Sequence, residues 1–523
     1  MNNFSKILKY LFLLIIFLIF FKTDYRFTNE ILCCGDDFDY YAHAQTLAED
    51  YDLDYSNQLA GYEDRRFNLN GKVAPKGFFG SGLLASPFLF LGNHVDNFYK
   101  SLVNFKYVEL MNYSILIYSL SSVTFVFLTC LLIHKSLNIL KIQISIFEIL
   151  LVYSASGVIY FAFERFSMAH VYETFTISLL ILLSVKHYKI NTNFTVFFIP
   201  LAILLVFLVR MVNYYALFIP LIISYIVKKK FDFKLYMHPK FLLSTAISIF
   251  IYIFLSISIY GIITINPQTM YGTSGLLGGF FGELSFYEFL KQNLDFGLLI
   301  LFGQEFGILW FSPILFFGLI SSFFISKKLN IFNNLLFVSP YILGIGSVLL
   351  WKSAASSYGF RYLYSLVPIS IVYFYSLKNN DKFSFYRKLL LFLSVFALVS
   401  ILFFETTELT QLSTVEEMNS FGRNIKYVER YYLKGYLLAL INFESYLKIF
   451  VTSFFGATVF KFIFIRVSID DFINFLASLN LPVKNDDFIE YLFEIQLISL
   501  NKFIFVILYF LIFVHIFFKK LKI

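Results

Sequence analysis

The run KILKYLFLLIIFLIFF at residues 6–21, followed by the acidic CCGDDFDYYAH at residues 33–43, decides how the rest of the chain is read. Ile7 to Phe21 has the length of a short spanning helix or of a signal-peptide core, and no small-residue cleavage site follows it. It is read as a retained span. Lys6 and Lys9 precede it, and basic residues stay on the cytoplasmic side of a membrane, so the N-terminus is expected inside and Asp36, Asp37 and Asp39 outside.

Of the 523 residues 59% are hydrophobic and 15% charged, too little polar surface to cover a soluble globule of this size. Windows of about 20 residues give roughly 11–13 spanning candidates. The clearer ones begin near Phe4, Leu110, Ile142, Val171, Thr195, Asn213, Phe241, Leu309, Phe332, Leu363, Leu389 and Phe503. With spans alternating from an inside N-terminus, almost every basic cluster falls on the cytoplasmic face: Lys186–Lys189, Lys228–Lys230, Lys327–Lys328, Lys378–Lys388 and Lys519–Lys522. That distribution accounts for the net charge of +8 without a nucleic-acid partner. The expected fold is an all-α polytopic membrane protein. Its transmembrane core covers 1–404, with a large first extracytoplasmic loop, containing short helices, at about 23–104. A mixed extracytoplasmic or interfacial segment follows over 405–500, in which Tyr446–Ile465 is read as a helix lying at the surface. A final span and a basic cytoplasmic tail close the chain over 501–523. Cys33 and Cys34 are adjacent and Cys130 lies in an apolar run, so no spacing suggests a metal site or a disulfide framework.

Within the first external loop, Asp36 to Tyr51 has neither Gly nor Pro and carries Tyr40, His43 and Leu47 at helical spacing. A helix there places Asp36, Tyr40 and His43 on one face, with Asp37 beside it. The structural account of such acids is a solvated helix start, because Asp is stabilising there without any further role. Ala74-Pro75-Lys76-Gly77 and the glycines to Gly82 then return the chain to the membrane. Glu164, Arg165 and His170 form a polar patch in the second external loop. Arg210 and Arg361 stand at external ends of spans, where a guanidinium either snorkels to headgroups or grips phosphate oxygens.

Four passages, in order, resemble the multi-spanning glycosyltransferases that take a sugar from a polyprenyl-phosphate carrier, the superfamily of protein O-mannosyltransferases and lipid A aminoarabinose transferases. Gly35-Asp36-Asp37 with Tyr40 looks like the acidic pair and aromatic that open the first external loop of that family. Pro75-Lys76-Gly77 with Gly82 and Pro87 resembles the return of the loop. Gly307-Ile308-Leu309-Trp310-Phe311-Ser312-Pro313 is similar to the entry of a later helix, and Ser357-Tyr358-Gly359-Phe360-Arg361-Tyr362-Leu363 to a further external motif. The resemblance covers roughly the first 370 residues. The chain departs from it at Asp37, where the family often has Glu, and at Glu164, where many members have Asp.

The resemblance implies transfer of a sugar from a polyprenyl-phosphate donor to a glycan, glycolipid or protein acceptor, outside a bacterial plasma membrane. The chemistry needs a base for the acceptor's proton and cations for the departing phosphate. Asp36 is the expected base, with Asp37 orienting a substrate. Lys76, Arg210 and Arg361 are the candidate phosphate ligands, and Tyr40, His43, Glu164 and His170 complete the expected binding site. Asp36, Asp37, Glu164 and His170 are of the right types for a divalent metal, but their spacing does not call for one, and no cofactor is assigned. Two readings from other classes stand beside the enzyme. A secondary transporter or flippase would place a broken helix at its site, for which Tyr271–Gly279 is the candidate, whereas a scaffold would need neither the acidic pair nor the external arginines. Convergence of Asp36 and Arg361 on one external cavity would favour the enzyme, and their separation by the width of a bilayer another class.

Overall fold

The computed structural model describes, apart from short gaps, residues 10–19, 35–61, 67–102, 113–264, 294–351, 358–404, 412–449 and 507–515. Helices dominate them. Strands among the described residues form two antiparallel hairpins, β1 (Phe67–Leu69) with β2 (Lys72–Ala74) and β3 (Leu412–Met418) with β4 (Asn424–Arg430).

The helices begin where the apolar runs begin. After α1 (Gly35–Gln45) and α2 (Phe79–Leu102) come α3 (Tyr113–Ile139), α4 (Ile146–Phe163), α5 (His170–Ile190), α6 (Asn193–Val209), α7 (Tyr214–Lys228) and α8 (Pro239–Tyr260). Then follow α9 (Pro313–Ser326), α10 (Ile331–Trp351), α11 (Val367–Ser376), α12 (Phe383–Phe403) and α13 (Tyr432–Ile441). Five of these, α3, α4, α8, α10 and α12, are long and apolar enough to cross a membrane, and α6, α7, α9 and α13 are shorter apolar helices. The chain is an all-α polytopic membrane protein.

α5 is the centre of the bundle. It packs against α3, α6, α7, α11 and the 3-10 turn Arg361–Leu366, and most of its residues are buried. α8 lies at the periphery against α6 and turns Leu242, Leu243, Ile249, Phe250 and Phe254 outward, as a lipid-facing helix does. A second, smaller core sits under the stretch between α1 and α2, where Ala42, Tyr55, Leu59, Ala74 and Phe79 close over Ile259 and Tyr260. Burying a side chain of that size contributes roughly 1.5–3 kcal/mol, which anchors α1 to the bundle although it lies outside the spans.

α4 is not a regular helix. It starts from Ser145, whose side chain accepts the Glu148 N–H. It then opens into a wide turn at Ser154–Val158, where Gly157 has a φ of 87°. A β-carbon on Gly157 would stand 2.2 Å from the Tyr364 hydroxyl, and one on Gly359, whose φ is 72°, only 2.0 Å from the same atom. Only glycine combines that backbone angle with that closeness. Tyr364 is therefore wedged between two glycines that are about 200 residues apart, and its hydroxyl donates to the Tyr358 carbonyl at 3.0 Å. The wedge fixes the turn carrying Arg361 against the C-terminal half of α4.

Between 405 and 500 the described residues form the β3–β4 hairpin, α13 and a few helical positions up to 449, and most of Tyr446–Ile465 lies outside them. Residues 507–512 are helical, and the Tyr509 hydroxyl meets Thr124 of α3.

Candidate functional site

The segment from Glu164 to His170, between α4 and α5, gathers the charged groups. Asp37 on α1 is buried, and the Arg165 Nε donates to its Oδ2 at 2.8 Å while the Ser167 hydroxyl donates to its Oδ1 at 3.0 Å. Both carboxylate oxygens are thus used in holding α1 to this segment. Asp37 is a positioning group here, and Arg165 its counter-ion. The Asp36 side chain and Lys76 lie outside the described residues.

One turn further, His170 and Glu173 open α5 on a shared face. Arg210, at the end of α6, donates from Nη1 to Glu173 Oε1 at 2.9 Å, and both are buried. His170 Nδ1 lies 3.4 Å from the same carboxylate oxygen and 3.4 Å from Arg210 Nη1. His170 Nε2 and Glu173 Oε2 are enclosed and have no hydrogen-bond partner among the described residues.

Tyr362 joins the two arginines. The Arg210 guanidinium lies 4.5 Å from the centre of its ring and that of Arg361 lies 5.3 Å from it, so two cations from different parts of the chain meet on one aromatic side chain. Tyr40 of α1 is close enough to Arg210 for its phenol to interact with that charge. Its ring packs on Gly77, where a β-carbon would come within 2.9 Å of it. The acidic helix, the loop return, Arg210, His170 and Arg361 therefore belong to one neighbourhood.

His43 stands apart from these charges. Its Nε2 donates to the Gly77 carbonyl at 3.0 Å, and its Nδ1 accepts from the Tyr55 hydroxyl at 2.7 Å. With both nitrogens engaged in a dry environment the ring is neutral, and burial pushes its pKa down to about 4. Expected as a ligand, it serves to fix Gly77 behind Tyr40. Glu164 is buried at the end of α4 near Tyr358, and burial first, then that carboxylate, pushes the Tyr358 phenol up.

Among the described residues no three His, Cys, Asp or Glu side chains gather as metal ligands. Asp37 answers to Arg165 and His170 to Glu173 instead. Sequence reasoning passed over Glu173 and Tyr362. Glu173 had a signal, an acid three residues after His170 inside an apolar helix, where ionisable groups face the bundle interior. Comparison with protein-family models, curated proteins and solved structures returns no match. The site is read from its own chemistry.

An apolar crevice runs along the lipid-facing side of this neighbourhood between α2, α6 and α8, lined by Phe78, Phe79, Leu208, Tyr252, Leu255 and Ile259 among others. Its upper rim is the Tyr260 hydroxyl, 3.4 Å from the Gly77 carbonyl, and Leu208 in its wall is two residues from Arg210.

Proposed function

We propose that the protein is a glycosyltransferase that moves a sugar from a polyprenyl-phosphate carrier to a cell-envelope glycan, glycolipid or protein on the extracytoplasmic side of a bacterial plasma membrane. The observation that carries this reading is the meeting of Arg210 and Arg361 on Tyr362, beside Tyr40 of the acidic helix. Two guanidiniums that share one tyrosine ring suit a phosphate whose charge grows as the sugar leaves, because planar forks match its oxygens in pairs. The crevice beside them suits the apolar chain of an amphiphilic donor. Asp36, one residue before the anchored Asp37, is the base of the proposal: it takes the acceptor hydroxyl proton while the acceptor oxygen bonds to the anomeric carbon and the carrier phosphate departs with the bonding pair. Direct displacement of this kind inverts the anomeric centre.

The transporter reading finds less support. Its candidate broken helix, Tyr271–Gly279, lies outside the described residues, and the break at Gly157 in a described spanning helix is filled by Tyr364. Purified protein incubated with radiolabelled polyprenyl-phosphate sugars tests the reading directly. Hydrolysis or transfer of at least one donor is expected, lowered about 100-fold or more in Asp36→Asn with the protein still folded. No turnover of any donor, or a fully active Asp36→Asn, removes the assignment.

A further inference from the structure

The opposite face of the bundle carries a second crevice, independent of the site just described. It is lined by Phe317, Ile320, Ser321 and Phe324 of α9, Phe374 of α11, Leu377, Asn380, and Phe383 and Tyr386 of α12. The α9 residues recur at the spacing of one helical face, and so do Phe383 and Tyr386, so two helices turn apolar stripes toward a gap, floored by Phe374 of α11, that no other element among the described residues fills. Phe324 is half exposed at its mouth, and Phe323 and Phe385 beside it are exposed as well. A narrow gap with such a lining holds water poorly, and in a bilayer an acyl chain is the nearest apolar filler.

The mouth is basic. Lys327 follows Phe324 by three residues, and Lys382 stands between Asn380 and Phe383, both of which line the crevice. Both lysines are exposed. In sequence the stretches after α9 and α11 hold Lys327, Lys328, Lys378 and Lys382 against a single acid, Asp381. Glu148, the buried carboxylate of this face, is already held by Arg387 and by the Tyr375 hydroxyl at 2.7 Å. An apolar slot beneath exposed lysines that outnumber the acids near them in sequence fits an amphiphile with an anionic head.

We propose that this crevice binds one acidic glycerophospholipid, an acyl chain lying between α9 and α12 and the phosphate head resting among Lys327, Lys382 and their neighbours. The chain seals the gap between the helix pairs, and the head ties the two turns together on the face that the lysines mark as cytoplasmic.

The test uses the full chain in neutral-detergent micelles holding equal amounts of dioleoyl phosphatidylglycerol and dioleoyl phosphatidylcholine, with retained lipid quantified after purification. Phosphatidylglycerol is expected to be enriched about fivefold or more at low salt, since one lysine near a membrane surface contributes about that factor, with the enrichment shrinking in high salt. In the double variant Lys327→Gln with Lys382→Gln, both on the exposed surface, the enrichment should fall toward one while total lipid stays the same. In Ile320→Trp, which fills the slot, about one lipid fewer per protein should be retained. Equal retention of the two lipids by the parent, or variants that retain both as the parent does, overturns the proposal. Neither result depends on what the opposite face does.

Discussion

Both ends of α4 are held by a carboxylate paired with a guanidinium, and the two ends are built differently. At the N-terminal end, the inner one in the proposed topology, Glu148 receives Arg387 Nε at 2.7 Å, but the arginine is 47% exposed, and Tyr375 supplies a second donor. At the C-terminal end, the outer one in that topology, Arg165 and Asp37 are 5% and 2% exposed, and Arg210 and Glu173 9% and 0%. Where one member of a pair is half exposed, water can take its place beside the buried partner, whereas removing one member of a fully enclosed pair strands a charge where water cannot reach it. An enclosed pair adds little net stability over well-packed apolar residues of the same shape. Its use is to fix register, and here it fixes α1, with Asp36 and Tyr40, over the segment that leads into α5.

The largest effect expected from this contrast is on stability. Arg165→Met leaves Asp37 buried without its cation and should destabilise by about 3–5 kcal/mol, seen as a lower unfolding midpoint in detergent. Asp37→Asn in the same background should recover part of that loss. If Arg165→Met unfolds like the parent, the outer pair is not a clamp.

Next comes pH. The His43 ring has an ordinary value of 6.5 and a folded value of about 4, so the folded protein resists protonation there. Above pH 6.5 the ring is neutral in both states and its contribution is complete. As pH falls from 6.5 to 4 the unfolded chain takes up a proton that the folded one refuses, and about 3 kcal/mol is lost. Comparing parent with His43→Gln at pH 7 and pH 4.5 isolates the effect, which should be steep in the parent and shallow in the variant. Equal slopes would mean that the clamp on Gly77 does not depend on a neutral ring.

Smaller in free energy, but specific to the outer end, is the response to exchanging one cation for another. Arg361→Lys keeps the charge and loses the planar fork, so donor binding and turnover should each fall roughly tenfold. Binding of a non-hydrolysable polyprenyl-phosphate analogue reads the first directly. Parent-like binding by both Arg361→Lys and Arg361→Ala would make Arg361 a headgroup anchor.

The smallest effect belongs to the inner end. Arg387→Gln should cost about 1 kcal/mol or less and leave turnover unchanged, because Glu148 keeps Tyr375 and the side chain was already in solvent. A loss as large as that of Arg165→Met would erase the difference between the two ends.

Much of the scaffold was legible in the apolar runs. Starts expected near Leu110, Ile142, Val171, Thr195, Phe241 and Phe332 fall within a few residues of Tyr113, Ile146, His170, Asn193, Pro239 and Ile331. Membrane helices announce themselves because an apolar run of that length has few other fates. Their place in the bundle was not legible: α4 is buried throughout, and only 22% of the corresponding stretch of α8 is buried, although both are strongly apolar. In lipid the outer and inner faces of a bundle are alike in polarity, so hydropathy does not tell them apart.

For the site, the acidic helix and the two arginines could be named as separate candidates. Their linkage through Tyr362 and Arg165 could not, because contacts between residues 128 positions apart leave no local pattern. His43 was assigned to substrate on its helical face alone. The face was read correctly, since His43 and Tyr40 both meet Gly77, but the partner was the protein's own backbone.

The wide turn at Ser154–Val158 also sets a phase. Each residue of a helix advances it by about 100°, so removing a single residue upstream of Gly157, and letting the helix close into a regular spiral, would swing Phe163, Glu164 and Arg165 about a quarter-turn around the axis. Arg165 would then point away from Asp37, and the entry to α5 would lose its alignment with Arg210. The number of residues in that stretch is therefore constrained as tightly as their chemistry, and single-residue deletions there should abolish function where conservative substitutions at Ser154 or Val158 do not.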